Sequence, residues 1–275
     1  MRQRSQVQVL PRRRGALTTS AQGVRIQLLS DLHLESEDFE PRPVDGAEVL
    51  VLAGDIDSTW RGYERFAGWP VPVLAIAGNH EFDRRELDDA WPALRAHCEA
   101  QGITLLEQAS LDLIDDRGRR VRILGAVRWC DFDVFGPARF ERAVRAGAYF
   151  QRVMGATLSG ADFDADAVRR EALAARAWLR DAIATAQGAC DALVVVTHFA
   201  PSLACADPRY GAQAGTASFC NADEDLMAGV DLWLHGHVHS RHDLRIGATR
   251  VVSQARGLER RGETAGYLDS LLLEV

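Results

Sequence analysis

Six of the eight histidines in this chain fall in short motifs, two of them beside acids or an amide, and each motif follows an apolar run. In chain order the motifs are Ser30-Asp31-Leu32-His33, Ala53-Gly54-Asp55, Gly78-Asn79-His80-Glu81, Thr197-His198 and His235-Gly236-His237-Val238-His239. Asp, Asn and His supply oxygen and nitrogen donors, and the motifs contain no thiolate. Asp31, His33, Asp55, Asn79, His198, His237 and His239 are too many donors for one tetrahedral zinc. They suit two five- or six-coordinate cations that share a carboxylate. Each motif alone is weak. An Asp after a strand is ordinarily a cap, Gly-Asp a turn, and a single His after a buried strand a satisfied core residue. Their recurrence at strand ends carries the chemical reading. His237 and His239 alternate, so on an extended segment both would face one site.

Such a site forms only if those strand ends meet. Val24–Ser30, Glu48–Ala53, Val71–Ala77, Val121–Val127, Ala192–Thr197 and Val230–Leu234 read as strands, several buried on both faces. In open α/β sheets the carboxyl ends of strands gather at one edge, where ligands bind. Asp83–Gln101 is helical in pattern, and Pro92 should end or kink it. Asp164–Gln187 is the longest helical stretch, with Asp164 as N-cap and Gly188 as stop. Short strands return at Leu244–Ile246, Arg250–Ser253 and Tyr267–Glu274. The expected fold is therefore α/β, with two packed sheets covered by helices.

Two segments break the alternation. Residues 131–160 are rich in aromatics (Phe132, Phe135, Phe140, Tyr149, Phe150) and read as an insert or lid over the site. Residues 1–23 carry five arginines and no acid and read as a flexible tail, which leaves 24–275 as one catalytic domain.

Composition closes off other classes. Of 275 residues, 47% are hydrophobic and 26% charged, which excludes a disordered, collagenous or coiled-coil chain. No apolar run approaches a membrane span, so no membrane partner is expected. Acids outnumber bases 39 to 32, and the net charge of −7 argues against nucleic acid as a partner. Every basic residue is Arg, so a Schiff-base lysine and a lysine-ended phosphate loop are both excluded. The five cysteines are irregularly spaced with no C-x-x-C. Neither a disulfide framework nor a thiolate zinc site is expected, and a reducing, cytoplasmic setting is.

The five motifs, in this order, resemble the blocks of the calcineurin-like metallophosphoesterase superfamily: D-x-H, G-D, G-N-H-[DE], a single His and G-H-x-H. Here they read SDLH, AGD, GNHE, THFAP and HGHVH, across about residues 24–242. The resemblance implies a two-sheet β-sandwich flanked by helices, a four-layer α/β/β/α fold. It implies one metal on Asp31, His33, Asp55 and His239 and a second on Asp55, Asn79, His198 and His237. Manganese, iron or zinc would serve, with manganese expected in vitro. It further implies hydrolysis of a phosphate ester by a metal-bridging hydroxide attacking phosphorus in line. His80 would be the catalytic acid or transition-state stabiliser, oriented by Glu81 or Asp83. His235 would be a packing or supporting group, and His97 and His242 surface or structural.

Departures narrow the choice. The arginines that clamp phosphate in the Ser/Thr phosphatases are absent, since Ile56-Asp57 follows Asp55 and Ala77 precedes Gly78. The UDP-diacylglucosamine pyrophosphatases share SDLHL but carry Arg where His80 stands. Repair nucleases of the superfamily extend well past the last motif. What remains resembles compact bacterial phosphoesterases, phosphodiesterases or phosphomonoesterases, with a nuclease or a non-catalytic scaffold on the same fold as the alternatives.

Overall fold

The computed structural model describes residues 8–10 and 23–275. Fourteen strands and three α-helices form, in chain order, β1 (Gln8–Leu10), β2 (Arg25–Leu29), β3 (Val49–Ala53), β4 (Val73–Ile76), α1 (Leu87–Ala100), β5 (Ile103–Leu105), β6 (Ala109–Ile114) and β7 (Arg120–Ala126). Then come α2 (Phe140–Met154), β8 (Thr157–Leu158), β9 (Ala161–Asp162), α3 (Ala165–Ala186), β10 (Ala192–Thr197), β11 (Leu232–His235), β12 (His242–Ile246), β13 (Thr249–Ser253) and β14 (Leu272–Glu274). One sheet runs β14-β2-β3-β4-β5, parallel except at β14, and the other runs β1-β6-β7-β10-β11-β13-β12. In the second, β7, β10, β11 and β13 are mutually parallel, flanked by antiparallel β6 and β12.

The strand alternation sets the layers. Val49, Val51 and Ala53 of β3 meet Ile123, Val194, Val196, Leu232 and Leu234 of the other sheet, forming the inter-sheet core. Leu50 and Leu52 point the opposite way, toward Leu87, Leu94 and Cys98 of α1. On the far side, Leu193, Val195 and Trp233 pack on Leu179 and Ile183 of α3. Each such side chain contributes about 1.5–3 kcal/mol on burial. The result is the expected helix/sheet/sheet/helix stack.

Asp164 caps α3 by accepting from the Ala167 N–H at 2.9 Å, and Gly188, at φ 73°, follows its end. The other helix departs from expectation. Pro92 lies inside α1, which runs through it from Leu87 to Ala100, so the proline removes one N–H from the first turns without ending the helix. Asp83–Glu86 lies outside the helix, and its last residue, Glu86, bridges Thr157. β5 and β6 had no clear signal, because β5 is three residues long and β6 mixes Ser and Asp with Leu. In the Arg-rich segment, Gln8–Leu10 pairs with β6 as an edge strand rather than as tail, and the rest of 1–23, save Gly23, lies outside the described residues. Among the described residues no helix is long and apolar enough to cross a membrane.

Beyond β7 sits a fully buried guanidinium. Arg128 donates to Asp223 at 2.8 and 2.9 Å, to Asp131 at 2.7 Å and to the Trp129 carbonyl at 2.8 Å. Its neighbour Val127 accepts from the His198 N–H at 3.2 Å, so this knot anchors the turn that aims His198. Burial raises the Asp223 carboxyl's pKa against the pull of Arg128, whereas at Asp131 the guanidinium outweighs burial and lowers it. Replacing Arg128 with Met should leave Asp131 and Asp223 without the buried cation they share, with only Arg176 at 3.0 Å remaining to Asp223, and cost about 3 kcal/mol. Urea unfolding measures it, and a loss under about 1 kcal/mol would show that the ion knot is dispensable.

Candidate metal centre

All five motifs follow strands β2, β3, β4, β10 and β11, and the edges of both sheets bring them together. Two groups of donors result. In the first, Asp31, His33, Asp55 and His239 each place one donor atom within 4.8 Å of the others; in the second, Asp55, His198 and His237 do the same. Asp55 belongs to both. Asn79 joins the second, its Oδ1 lying 3.3 Å from His198 Nε2.

Each imidazole is held at one nitrogen by an acceptor. His33 Nδ1 lies 3.3 Å from Glu35, and His239 Nδ1 lies 2.7 Å from Glu263. His198 Nδ1 donates to the Ala53 carbonyl at 2.8 Å, and His237 Nε2 to the Ser218 carbonyl at 3.1 Å. A pinned N–H leaves the opposite nitrogen as a lone pair. The Nε2 atoms of His33 and His239 then face each other at 3.1 Å, and His198 Nε2 faces Asp55 Oδ2 at 3.3 Å. Asp31 Oδ2 is buried with no hydrogen-bond partner. Lone pairs converging on lone pairs, with an orphaned carboxylate oxygen among them, fit bound cations and little else.

With no cation bound, protons on the imidazoles meet the same demand for positive charge. Burial opposes charge on His33, yet Glu35, Asp55 and Asp31 outweigh it and raise the pKa. His198 is likewise pushed up to about 9 by Asp55 against burial. Asp55, despite complete burial, is held well below the usual carboxylate range by His198, His80 and His33. His237 goes the other way, because burial and the neighbouring His198 lower it.

His80 lies outside both donor groups. Its Nδ1 is 2.8 Å from Asp83 Oδ2, its backbone N–H donates to Asp55 Oδ1 at 2.9 Å, and its ring meets His33 edge-on at 5.1 Å. Asp83, then, is the group that orients it. Glu81 does something else: fully buried, it accepts from the N–H groups of Asp55, Ile56 and Gly78 and from the Tyr63 hydroxyl, stapling the G-D turn to the G-N-H turn.

The backbone is strained where the donors sit. Asp31, His33, Asp55, His237 and His239 all take left-handed φ, between 48° and 68°. His237 and His239 thus do not share an extended strand, as their alternation suggests. They occupy a tight turn that sends His239 to the first group and His237 to the second. Gly54, at φ 90°, lets the turn pass His198; any Cβ there would strike the His198 ring.

His97 bonds the Trp60 carbonyl at 2.9 Å and is structural, while His235 is fully buried and 2.9 Å from His242. Sequence reasoning missed Glu35 and Glu263. Glu35 stands two residues after His33, a spacing that could have flagged it; Glu263 has no motif at all. The aromatic segment splits. Phe132 is core, Phe135 and Phe140 lie under Arg139 and Arg169, and Phe150 of α2 meets Phe219, which stacks on His237 at 4.7 Å.

No curated protein matches the chain in sequence. Among solved structures, phosphopantetheinyl hydrolase from Mycobacterium tuberculosis superposes with a TM-score of 0.65 at 16% identity, over 92% of this chain and 96% of that one. A 5'-nucleotidase structure from Staphylococcus aureus superposes at 0.50 and 12% identity, over 86% of this chain and 49% of that one. At such identities the likeness is one of fold. The family model for calcineurin-like phosphoesterase matches residues 24–241, which is most of the chain and contains every motif described above. This chain therefore belongs to the calcineurin-like phosphoesterases, metal-dependent hydrolases of phosphate esters.

Proposed function

We propose that this chain hydrolyses phosphodiesters with two divalent cations, one held by Asp31, His33, Asp55 and His239 and the other by Asp55, Asn79, His198 and His237. The observation that carries this is the set of four imidazoles, each pinned at one nitrogen with its other turned on the two buried carboxylates. Divalent cations there supply charge neutralisation for phosphoryl oxygens and lower the pKa of water. All the donors are oxygen or nitrogen, which suits manganese, iron or zinc, and manganese is the ion we expect to support activity in vitro. The five free cysteines favour a reducing, cytoplasmic setting.

His80 is the proton donor in this reading. Asp83 holds Nδ1, which leaves Nε2 as the nitrogen able to protonate the leaving oxygen. A diester is favoured over a monoester on charge. The rim carries Glu35 and Asp83, with Glu263 buried behind His239, while Arg209 is committed to Asp207 and lies 3.5 Å from Glu263, and Arg256 is committed to Glu37. A phosphomonoester approaches −2 at neutral pH and a diester carries −1, so the acidic rim repels the diester less. The Phe150–Phe219 pair offers an apolar wall beside His237 for the organic part of the substrate. Phosphopantetheinyl compounds, named for the Mycobacterium tuberculosis relative, are the first natural substrates to try.

Three measurements test this. Asp55→Asn removes the shared negative charge, so elemental analysis of the manganese-loaded protein should show fewer than the parent's about two manganese ions per chain, with turnover reduced. Retention of both metals and full activity would refute the shared-ligand assignment. His80→Ala should keep both metals yet lower turnover about 10²–10⁴-fold, more for alkyl leaving groups than for activated aryl ones. Loss of a metal would make His80 a ligand, and turnover of both ester types as fast as the parent's would remove it from catalysis. Finally, kcat/KM for bis(p-nitrophenyl) phosphate should exceed that for p-nitrophenyl phosphate, and the reverse order would assign a monoesterase.

A further inference from the structure

On the outer face of the seven-stranded sheet lies a donor cluster that shares no residue with the centre described above. His235 on β11 is in register with Ser253 on β13, and Ser253 is in register with His242 on β12. Residues paired across neighbouring strands project from the same face, so these three form one row across three strands. The row shares its face with Trp233 and Val251, which pack toward α3. Cys205, from the helical turn Leu203–Cys205, closes over it. That turn is fixed by Ser202, whose hydroxyl accepts from the Ala204 N–H at 3.0 Å and donates to Glu224 at 2.6 Å.

We propose that Cys205, His235 and His242 form a third metal site, for zinc, which clips the base of the loop that carries His237 and His239. One donor atom from each lies within 4.8 Å of the others. The two Nε2 atoms are 2.9 Å apart, and His235 Nδ1 lies 2.9 Å from the Gly236 carbonyl. A carbonyl only accepts, so Nδ1 carries the proton and His235 Nε2 presents a lone pair to the cluster. Tetrahedral zinc, with Zn–N about 2.0 Å and Zn–S about 2.3 Å, sets its donors roughly 3.3–3.7 Å apart, within small side-chain adjustments of what is found. Between the two histidines in the row stands Ser253, whose hydroxyl is buried with no hydrogen-bond partner, an oxygen available to the fourth position. Cys205 and His235 are fully buried, and half-buried His242 provides the way in.

A thiolate with two imidazoles selects a borderline-soft ion, unlike the oxygen-rich centre at the strand ends. On binding, the Cys205 S–H bond breaks as the S–Zn bond forms, and the proton leaves to solvent. His235 and His242 flank the loop 236–241, so one ion joining them fixes both ends of the strained turn. The sequence offered no C-x-x-C, and the thiol comes instead from thirty residues upstream of the first histidine.

The proposal stands independently of the dinuclear reading, because among the described residues only this donor cluster holds a sulfur. The full chain loaded with cobalt(II) should show thiolate-to-cobalt charge-transfer absorption in the near ultraviolet, lost in Cys205→Ser and in His242→Ala. Zinc content should fall from about three to about two ions per chain in either variant. Added zinc should raise the Tm of the parent more than that of Cys205→Ser. Absence of the thiolate band from the loaded parent would overturn the site and leave a buried His235–His242 hydrogen bond. Equal zinc content in the parent and Cys205→Ser would overturn it as well.

Discussion

Asp31 and Asp55 lie buried side by side, and two carboxylates with no solvent around them cannot stay ionised without positive charge close by. Much of the surrounding structure answers that need. His33, His198, His237 and His239 ring the pair, and each is tied from behind by Glu35, the Ala53 carbonyl, the Ser218 carbonyl or Glu263. Those outer partners fix which nitrogen is bare, and so decide that the site presents lone pairs rather than N–H groups. A ring of nitrogens closing on two buried carboxylates is a place for cations.

Holding that ring together distorts the backbone. Five of the donor residues sit in left-handed conformations that non-glycine residues avoid, at about 1–3 kcal/mol each. The strain persists because it is cross-tied: the Asp31 N–H donates to Gly54, the His33 N–H to Asp55, and the His237 N–H to the Asp31 side chain. Glu81 then binds four amides of two different turns through one carboxylate. The inter-sheet core beneath supplies the rigidity, since the strands that feed these turns are buried on both faces and cannot shift separately.

What could be read from the sequence follows the same division. The buried strands announced themselves as apolar runs, and the donors stood directly after them, so the layer order and the gathering of those side chains at one edge were legible without a structure. The pairing of His237 with His239 was legible for the wrong reason: an extended strand was expected, and a left-handed turn delivers the two rings to different groups. Pro92 misled because, as the sixth residue of α1, it forfeits a single helix hydrogen bond, and the buried face of Leu87, Ala90, Leu94 and Cys98 holds the helix through it. Glu263 was invisible. It reaches His239 through a fold-level approach of segments 24 residues apart, and no local pattern encodes that. The same limit applies to Arg128, whose partner Asp223 lies 95 residues away.

The seven-stranded sheet uses its two features for different chemistry. Its strand ends contribute His198, His237 and His239 to the centre, while its outer face is packed with Leu193, Val195, Trp233 and Val251 against α3. His235 belongs to that outer face, so a single histidine-rich run, residues 235–239, is divided between a structural layer and a reactive edge. The divide falls at Gly236, whose N–H donates to the His198 carbonyl at 3.0 Å, the last link between β11 and its neighbour before the chain turns into the site. A side chain there would collide with the Asp31 carboxylate, so the close approach that lets His237 and His239 reach the carboxylates requires glycine. Substrate chemistry at the edge is thereby coupled to the stability of β11 through one residue with no side chain.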